Sequence, residues 1–273
     1  MSSPQNQNSQ PFLAPRRIVG VNRIGLLTFI GKEVSRFANI YVQTLLAPVI
    51  TTILFFLIFA LALGQHNEAV EGVPYLEFLV PGLVMMAMVQ NAFANTSSSI
   101  LISKVQGNIV DVLMPPLSPG ELLVGYTLGG VIRGLAVGIA CVLSLRLFVP
   151  FGIHSPSIFI LSAVLSTLML SLIGVAGGLW SEKFDHMATI TNFVVTPLAF
   201  LSGTFYSTQK LPEIWHGIAM ANPFFHMIDS FRYSMIGYAD ADIASGLIWL
   251  AIVNALLLGL CYRMFRTGYK IRA

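Results

Sequence analysis

The sequence has 273 residues, 55% of them hydrophobic and 10% charged, with a mean hydropathy of +0.77. A soluble domain carries about 25% charged residues, so this composition excludes a chain with a mostly water-facing surface and makes lipid the solvent. The formal charge of +3 marks orientation in a membrane rather than a nucleic-acid partner.

About 20 apolar residues make one helical span, so six spans fit this length. Residues 1–21 are polar, open on MSSPQNQNSQPFLAP and have no apolar leader core, which predicts a disordered cytoplasmic tail. Residues 22–38, NRIGLLTFIGKEVSRFA, follow. Leu27, Ile30, Val34 and Phe37 fall on one side at helical spacing, with Arg23, Lys32, Glu33 and Arg36 largely elsewhere. That pattern predicts an amphipathic interfacial helix.

Residues 39–266 then read as one transmembrane domain. Span one is predicted at 40–63, with Pro48 in its first half, and span two at 78–98, ending in a polar stretch from Asn91 to Ser99. The loop 65–77 between them carries Glu68, Glu71 and Glu77 and no Lys or Arg. Residues 102–121 hold three prolines and two glycines, which break any long helix. There Val105, Ile109, Val112 and Leu113 form one apolar side of a short helix before Pro115, left without a partner in this chain. Spans three to six are predicted at 122–148, 157–180, 187–205 and 246–265. Between the last two, residues 206–244 are aromatic and broken by Pro212 and Pro223, which predicts short helices dipping into the outer interface, the layer aromatic side chains prefer. Residues 267–273 form a second cytoplasmic tail.

Orientation follows from the cations. With the N-terminus inside, inner segments hold Arg16, Arg17, Arg23, Lys32, Arg36, Lys104, Lys183, Arg263, Arg266, Lys270 and Arg272, against Arg146, Lys210 and Arg232 outside. The positive-inside rule then places both termini in the cytoplasm.

Little in the chain suggests catalysis. The nearest approach to a phosphate loop is Gly31-Lys32, but Glu33 stands where a Ser or Thr would ligate magnesium. The histidines (His66, His154, His186, His216 and His226) lie in separate loops or broken segments, without metal-ligand spacing. Ser202-Gly203 with His216 or His226 is a weak imitation of a hydrolase pair. Cys141 and Cys261 sit inside apolar runs and read as small buried hydrophobes. No cofactor is expected in the chain.

Arg133 falls near the middle of span three, where a charge is costly and faces a cavity or a partner. It reads either as a contact for an anionic substrate or headgroup, or as a structural pair with another span. Gly130, Gly134 and Gly138 surround it at intervals of four, a stripe that allows close helix approach. Gly174 and Gly178 make a weaker stripe in span four. A secondary transporter or channel, the alternative to an ATP-driven exporter, predicts inverted repeats and paired mid-membrane acids. Neither is visible.

The order of elements, with FLVPGL at 78–83, GNIVDVLMPP at 107–116, PLAFLSGTFY at 197–206 and NPFFHMIDSFR at 222–232, resembles the permease subunits of type 2 ABC transporters (ABC-2). The resemblance covers about residues 22–266. It implies an all-α polytopic fold of the type V exporter kind, with six transmembrane helices, an N-terminal interfacial helix and outer re-entrant helices. It also implies that Lys104, Val105, Gly107, Asn108, Ile109, Asp111, Val112 and Leu113 belong to a coupling segment that docks on a separate cytoplasmic ATPase. Asn222, Pro223, Asp229 and Arg232 would belong to the outer cap, and Arg133, Gly130 and Gly134 would border the translocation path. Two permease copies and two ATPase subunits, with ATP and magnesium on the latter, would make an exporter in the bacterial inner membrane. Its cargo would be a lipid, a lipid-linked glycan or a hydrophobic small molecule.

Overall fold

A computed structural model describes residues 20–63, 72–210 and 212–270. Residues 1–19 of the expected tail at 1–21, residues 271–273 of that at 267–273, and Glu68 and Glu71 of the acidic loop lie outside the described residues. Among the described residues every regular element is helical: α1 (Arg23–Ala38), α2 (Ala47–Leu63), α3 (Tyr75–Val105), α4 (Ile109–Leu113), α5 (Pro119–Leu145), α6 (Pro156–Trp180), α7 (Phe184–Ile190), α8 (Thr196–Phe200), α9 (Glu213–Ala221), α10 (Pro223–Ile236) and α11 (Ile243–Thr267).

Five of the described helices are long and apolar enough to cross a membrane, namely Val42–Ala62, α3, α5, α6 and α11. The expected fifth span is the run from Phe184 to Phe200, made of α7, a π-helical turn at Thr191–Val195 and α8. At the α-helical rise it is about 25 Å long, near the lower limit for the hydrocarbon layer. It stops short of the predicted Phe205 because residues 201–207 leave the helical path, with Gly203 at φ +73°.

The two π turns have a common origin. Val42–Leu46 ends two residues before Pro48, and Thr191–Val195 ends two residues before Pro197. A proline ring clashes with the carbonyl four residues back, here Thr44 and Phe193, and cannot donate the helical hydrogen bond. Widening the preceding turn accommodates both effects.

α3 is the centre of the molecule: 67% of its apolar window is buried, against 17% for the peripheral α2-containing helix and α11. Glycines bring its neighbours close. A Cβ on Gly134 would lie 2.9 Å from the Met88 carbonyl oxygen of α3 and 2.8 Å from Thr167 of α6, and one on Gly138 would meet Met88. Gly174 of α6 lies against the backbone of Phe93. A second glycine line, unforeseen from the sequence, receives α1: Phe29 lies over Gly125, and Glu33 Cβ would be 2.7 Å from a Cβ on Gly129.

α1 is helical almost as predicted. Its buried residues are Phe29, Glu33 and Phe37, whereas Leu27 and Ile24 are exposed. Of the apolar stripe read from the sequence, Phe37 is buried, Ile30 and Val34 are half-buried and Leu27 is exposed, and the buried side extends to Phe29 and to the carboxylate of Glu33.

Candidate functional site

Three regions carry the residues singled out from the sequence. The first lies at the C-terminal end of α3. At about 46 Å, α3 is longer than the hydrocarbon layer, so its last turns extend beyond it. Lys104 and Val105 thus belong to this helix rather than to a separate segment. The Lys104 ammonium donates to the carbonyls of Leu179 (2.7 Å) and Ser181 (2.6 Å) at the end of α6. Beside it, Lys270 pairs with Glu182 at 2.8 Å and holds that carboxyl below the usual carboxylate range.

The chain then turns at Gly107, φ +76°, a conformation glycine adopts without strain. Asn108 precedes the single helical turn of α4. The predicted apolar side of α4 divides. Val112 is buried, packing with Leu122, Tyr126 and Phe265, and Ile109 is half-buried against the same cluster. Val105, Val110, Leu113 and Met114 are exposed, with Asp111 among them. Two residues of the expected stripe therefore anchor α4, and Leu113 joins an outward apolar patch that also includes Val110 and Met114. The segment is closed by a capping box: Ser118 accepts from the Glu121 N–H, and Glu121 accepts from the Ser118 N–H at 2.5 Å. Glu121 also accepts from the Asn22 N–H, which ties the start of α1 to the start of α5.

The second region lies between α1, α3 and α5. Arg36 Nη2 donates to Asn95 Oδ1 (3.0 Å) and to the Asn95 carbonyl (2.7 Å), and Nη1 donates to Ser98 (3.3 Å). Arg36 pairs with Glu33 at 3.4 Å, and Glu33 accepts from Ser99 at 2.8 Å. Arg133 Nη2 donates to Asn91 Oδ1 at 2.9 Å. Among the described residues no carboxylate forms an ion pair with Arg133. Asn91, on α3, is thus a neutral cross-helix partner for Arg133. Gly130 and Gly134 are brought near it only along the chain: both are buried in the seam between α3, α5 and α6. The sequence signal for this region was the polar run from Asn91 to Ser99. Arg36 was missed because it reads as one cation on a solvated helix face.

The third region is at the N-terminal end of α3. Asn222 caps α10 by accepting from the Phe224 N–H, and Pro223 takes the first helical position. Arg232 is fully buried, donates to the Gly203 carbonyl at 2.6 Å and lies 3.8 Å from the centre of the Phe78 ring. Asp229 accepts from the N–H groups of Asp240 and Ala241, and Asp240 accepts from Ser207, Thr208 and Tyr238. The predicted cap residues thus bind α10 to the turns on either side of it. Ser202 and His226 do not meet; Ser202 bonds to the Ala199 carbonyl and His226 contacts the Met220 carbonyl. Cys141 and Cys261 are buried and unpaired. Among the described residues no His, Cys, Asp and Glu cluster could hold a metal.

Residues 25–236, from α1 to the end of α10, match the model of the ABC-2 type transporter family. The chain belongs to that family. It is also 37% identical over 250 residues to the inner membrane transport permease YadH of Escherichia coli, covering 92% of this chain and 98% of that one. It is 26% identical over 261 residues to the daunorubicin resistance ABC transporter permease protein DrrB1 of Streptomyces coeruleorubidus, covering 92% and 89%. Nodulation protein J of Bradyrhizobium diazoefficiens is 27% identical over 180 residues, covering 64% and 67%. The matched part of this ABC-2 chain includes α3, α4, the two arginines and α10, while Asp240, Ala241 and α11 with Lys270 lie beyond it.

Proposed function

We propose that this chain is the permease subunit of an ATP-driven exporter in the bacterial inner membrane, with both termini cytoplasmic and the ATPase on a separate polypeptide. The observation that carries the reading is α4. It hangs from the end of α3, is anchored by Val112, and turns Val110, Leu113 and Met114 outward. Burying each of these side chains against a partner contributes on the order of 1.5–3 kcal/mol, so the patch suits a protein surface. Lys104 would pass movement of that surface to α6 through the carbonyls it binds. Two copies of the chain and two ATPase subunits, holding ATP and magnesium, form the working assembly.

The cargo is a lipid, a lipid-linked glycan or a hydrophobic small molecule. The permease named for daunorubicin resistance supports the last of these. The test is purification of the tagged chain in mild detergent. A soluble ATPase should co-purify in stoichiometric amount. The double change Val110→Asp with Met114→Asp should release it while membrane insertion stays normal. A chain that purifies alone in every mild detergent would instead be a self-sufficient carrier or channel.

A further inference from the structure

We propose that Arg36 and Arg133, with Asn91, Asn95 and Ser98 between them, form a binding site for the anionic phosphate headgroup of an amphiphile. Charge arithmetic is the first argument. Arg36 has Glu33 as a partner, but Arg133 has only the neutral amide of Asn91. The cluster of Glu33, Arg36 and Arg133 therefore carries one uncompensated positive charge. Arg133 stands fourteen residues into α5, about 21 Å along the helix. A bare cation at that depth is unfavourable until an anion joins it.

Unused donors are the second argument. The Nε atoms of Arg36 and of Arg133 are both buried without a hydrogen-bond partner. A guanidinium offers five N–H donors and matches phosphate oxygens in a fork. The two arginines bond to side chains four residues apart on α3, a rise of about 6 Å. Oxygens of one headgroup can span that interval. The Arg36 side chain retains 29% of its surface, so the site is open to a ligand.

A cavity of about 550 Å³ elsewhere, beside α11, is nearly all apolar, with Arg263 as the one charged residue in its wall. The cavity on the far side of the two arginines' partners differs. It measures about 480 Å³, lies between α3 and the α7–α8 run, and is lined by Asn91 and Ser98 as well as Gln90, Ser97, Thr191 and Thr196. Neither arginine lines this cavity itself, but Asn91 and Ser98, which do, accept hydrogen bonds from Arg133 and Arg36 and so join its wall to the two guanidiniums. The other walls are apolar, Phe93 and Leu101 among them. Polar and apolar walls in one recess, at the depth of a membrane helix, fit an amphiphile better than a free ion. The inference depends on the exporter reading only in calling this ligand cargo; the binding itself needs no ATPase.

The test is native mass spectrometry of the full-length protein in detergent, titrated with phosphatidylglycerol, with phosphatidylcholine of the same chains and with inorganic phosphate. Phosphatidylglycerol should bind more tightly than phosphatidylcholine. Arg133→Gln should weaken that preference about tenfold or more, and Arg133→Lys should retain part of it. Asn91→Asp supplies a carboxylate beside Arg133 without removing it, so it should fold and still lose the preference. Equal binding of the two lipids, or an unchanged preference in Asn91→Asp, would overturn the site. Displacement of phosphatidylglycerol by equimolar inorganic phosphate would make it a soluble-anion site and overturn the amphiphile. A co-purifying ATPase alongside such results would leave the exporter reading in place.

Discussion

Single side chains in this protein close helix ends that the sequence leaves open. Lys104 is the most consequential. Its ammonium binds the last carbonyls of α6, which lack intrahelical partners. Hydrogen bonds to a charged donor contribute about 1.5–3 kcal/mol, reduced here because the group is partly exposed. Lys104→Met should therefore lower the melting temperature by a few degrees and reduce cargo-stimulated ATP hydrolysis more than basal hydrolysis. Melting equal to the wild type would mean that the contact adds no stability. Glycines give a second contrast. Gly174 has the Phe93 carbonyl oxygen 2.6 Å from the place of a Cβ, whereas Gly31 in α1 has nothing within 4 Å. Gly174→Ala should destabilise strongly, since backbone cannot give way. Gly31→Ala should raise stability by about 0.5–1 kcal/mol, the helix-interior preference for alanine. The pair can be read in one series of thermal melts, and a reversal of the two signs would refute the packing described for α6.

At the scale of elements, the long apolar runs were legible because composition and length decide a membrane helix almost alone. The irregular elements were less so. A proline announces that a helix is disturbed at Pro48 and Pro197, but whether the chain kinks, breaks or widens depends on what surrounds it. The buried side of α1 was legible only in part for a related reason: periodicity finds Ile30, Val34 and Phe37, while Phe29 and Glu33 are buried as well because Gly125 and Gly129 of α5 leave room for them. Likewise Arg133 could be flagged from position alone, but its convergence with Arg36 on one face of α3 needs three helices to be placed. The π turn itself can be tested. Pro197→Ala restores a donor and removes the clash with the Phe193 carbonyl, so the run Phe184–Phe200 should rewind towards regular α-helix. Slower hydrogen exchange at residues 191–197 is the expected outcome. Unchanged exchange would assign the wide turn to packing rather than to the proline.

The whole molecule has two polar ends and an apolar girdle. One end carries α4, Lys104 and the Glu182–Lys270 pair; the other carries the network of Asp229, Arg232 and Asp240. α3 joins them, running from Tyr75 near the cap to Val105 at α4. The sides presented to lipid come mainly from α2 and α11, whose Leu54, Ile58, Ile248 and Leu256 are exposed. In the proposed orientation, the excess of Lys and Arg marks the α4 end as the cytoplasmic one. Cysteine labelling in intact cells reads this directly, because Cys141 and Cys261 are buried and supply little background. Gln106 and Gln209 are both exposed, one at each end. In cells with a permeable outer membrane and a sealed inner one, a membrane-impermeant maleimide should label Gln209→Cys and leave Gln106→Cys unmodified until the inner membrane is opened. Labelling in the opposite order would invert the protein. It would place α4 where no ATP-hydrolysing partner could reach it, and the exporter reading would fall with the orientation.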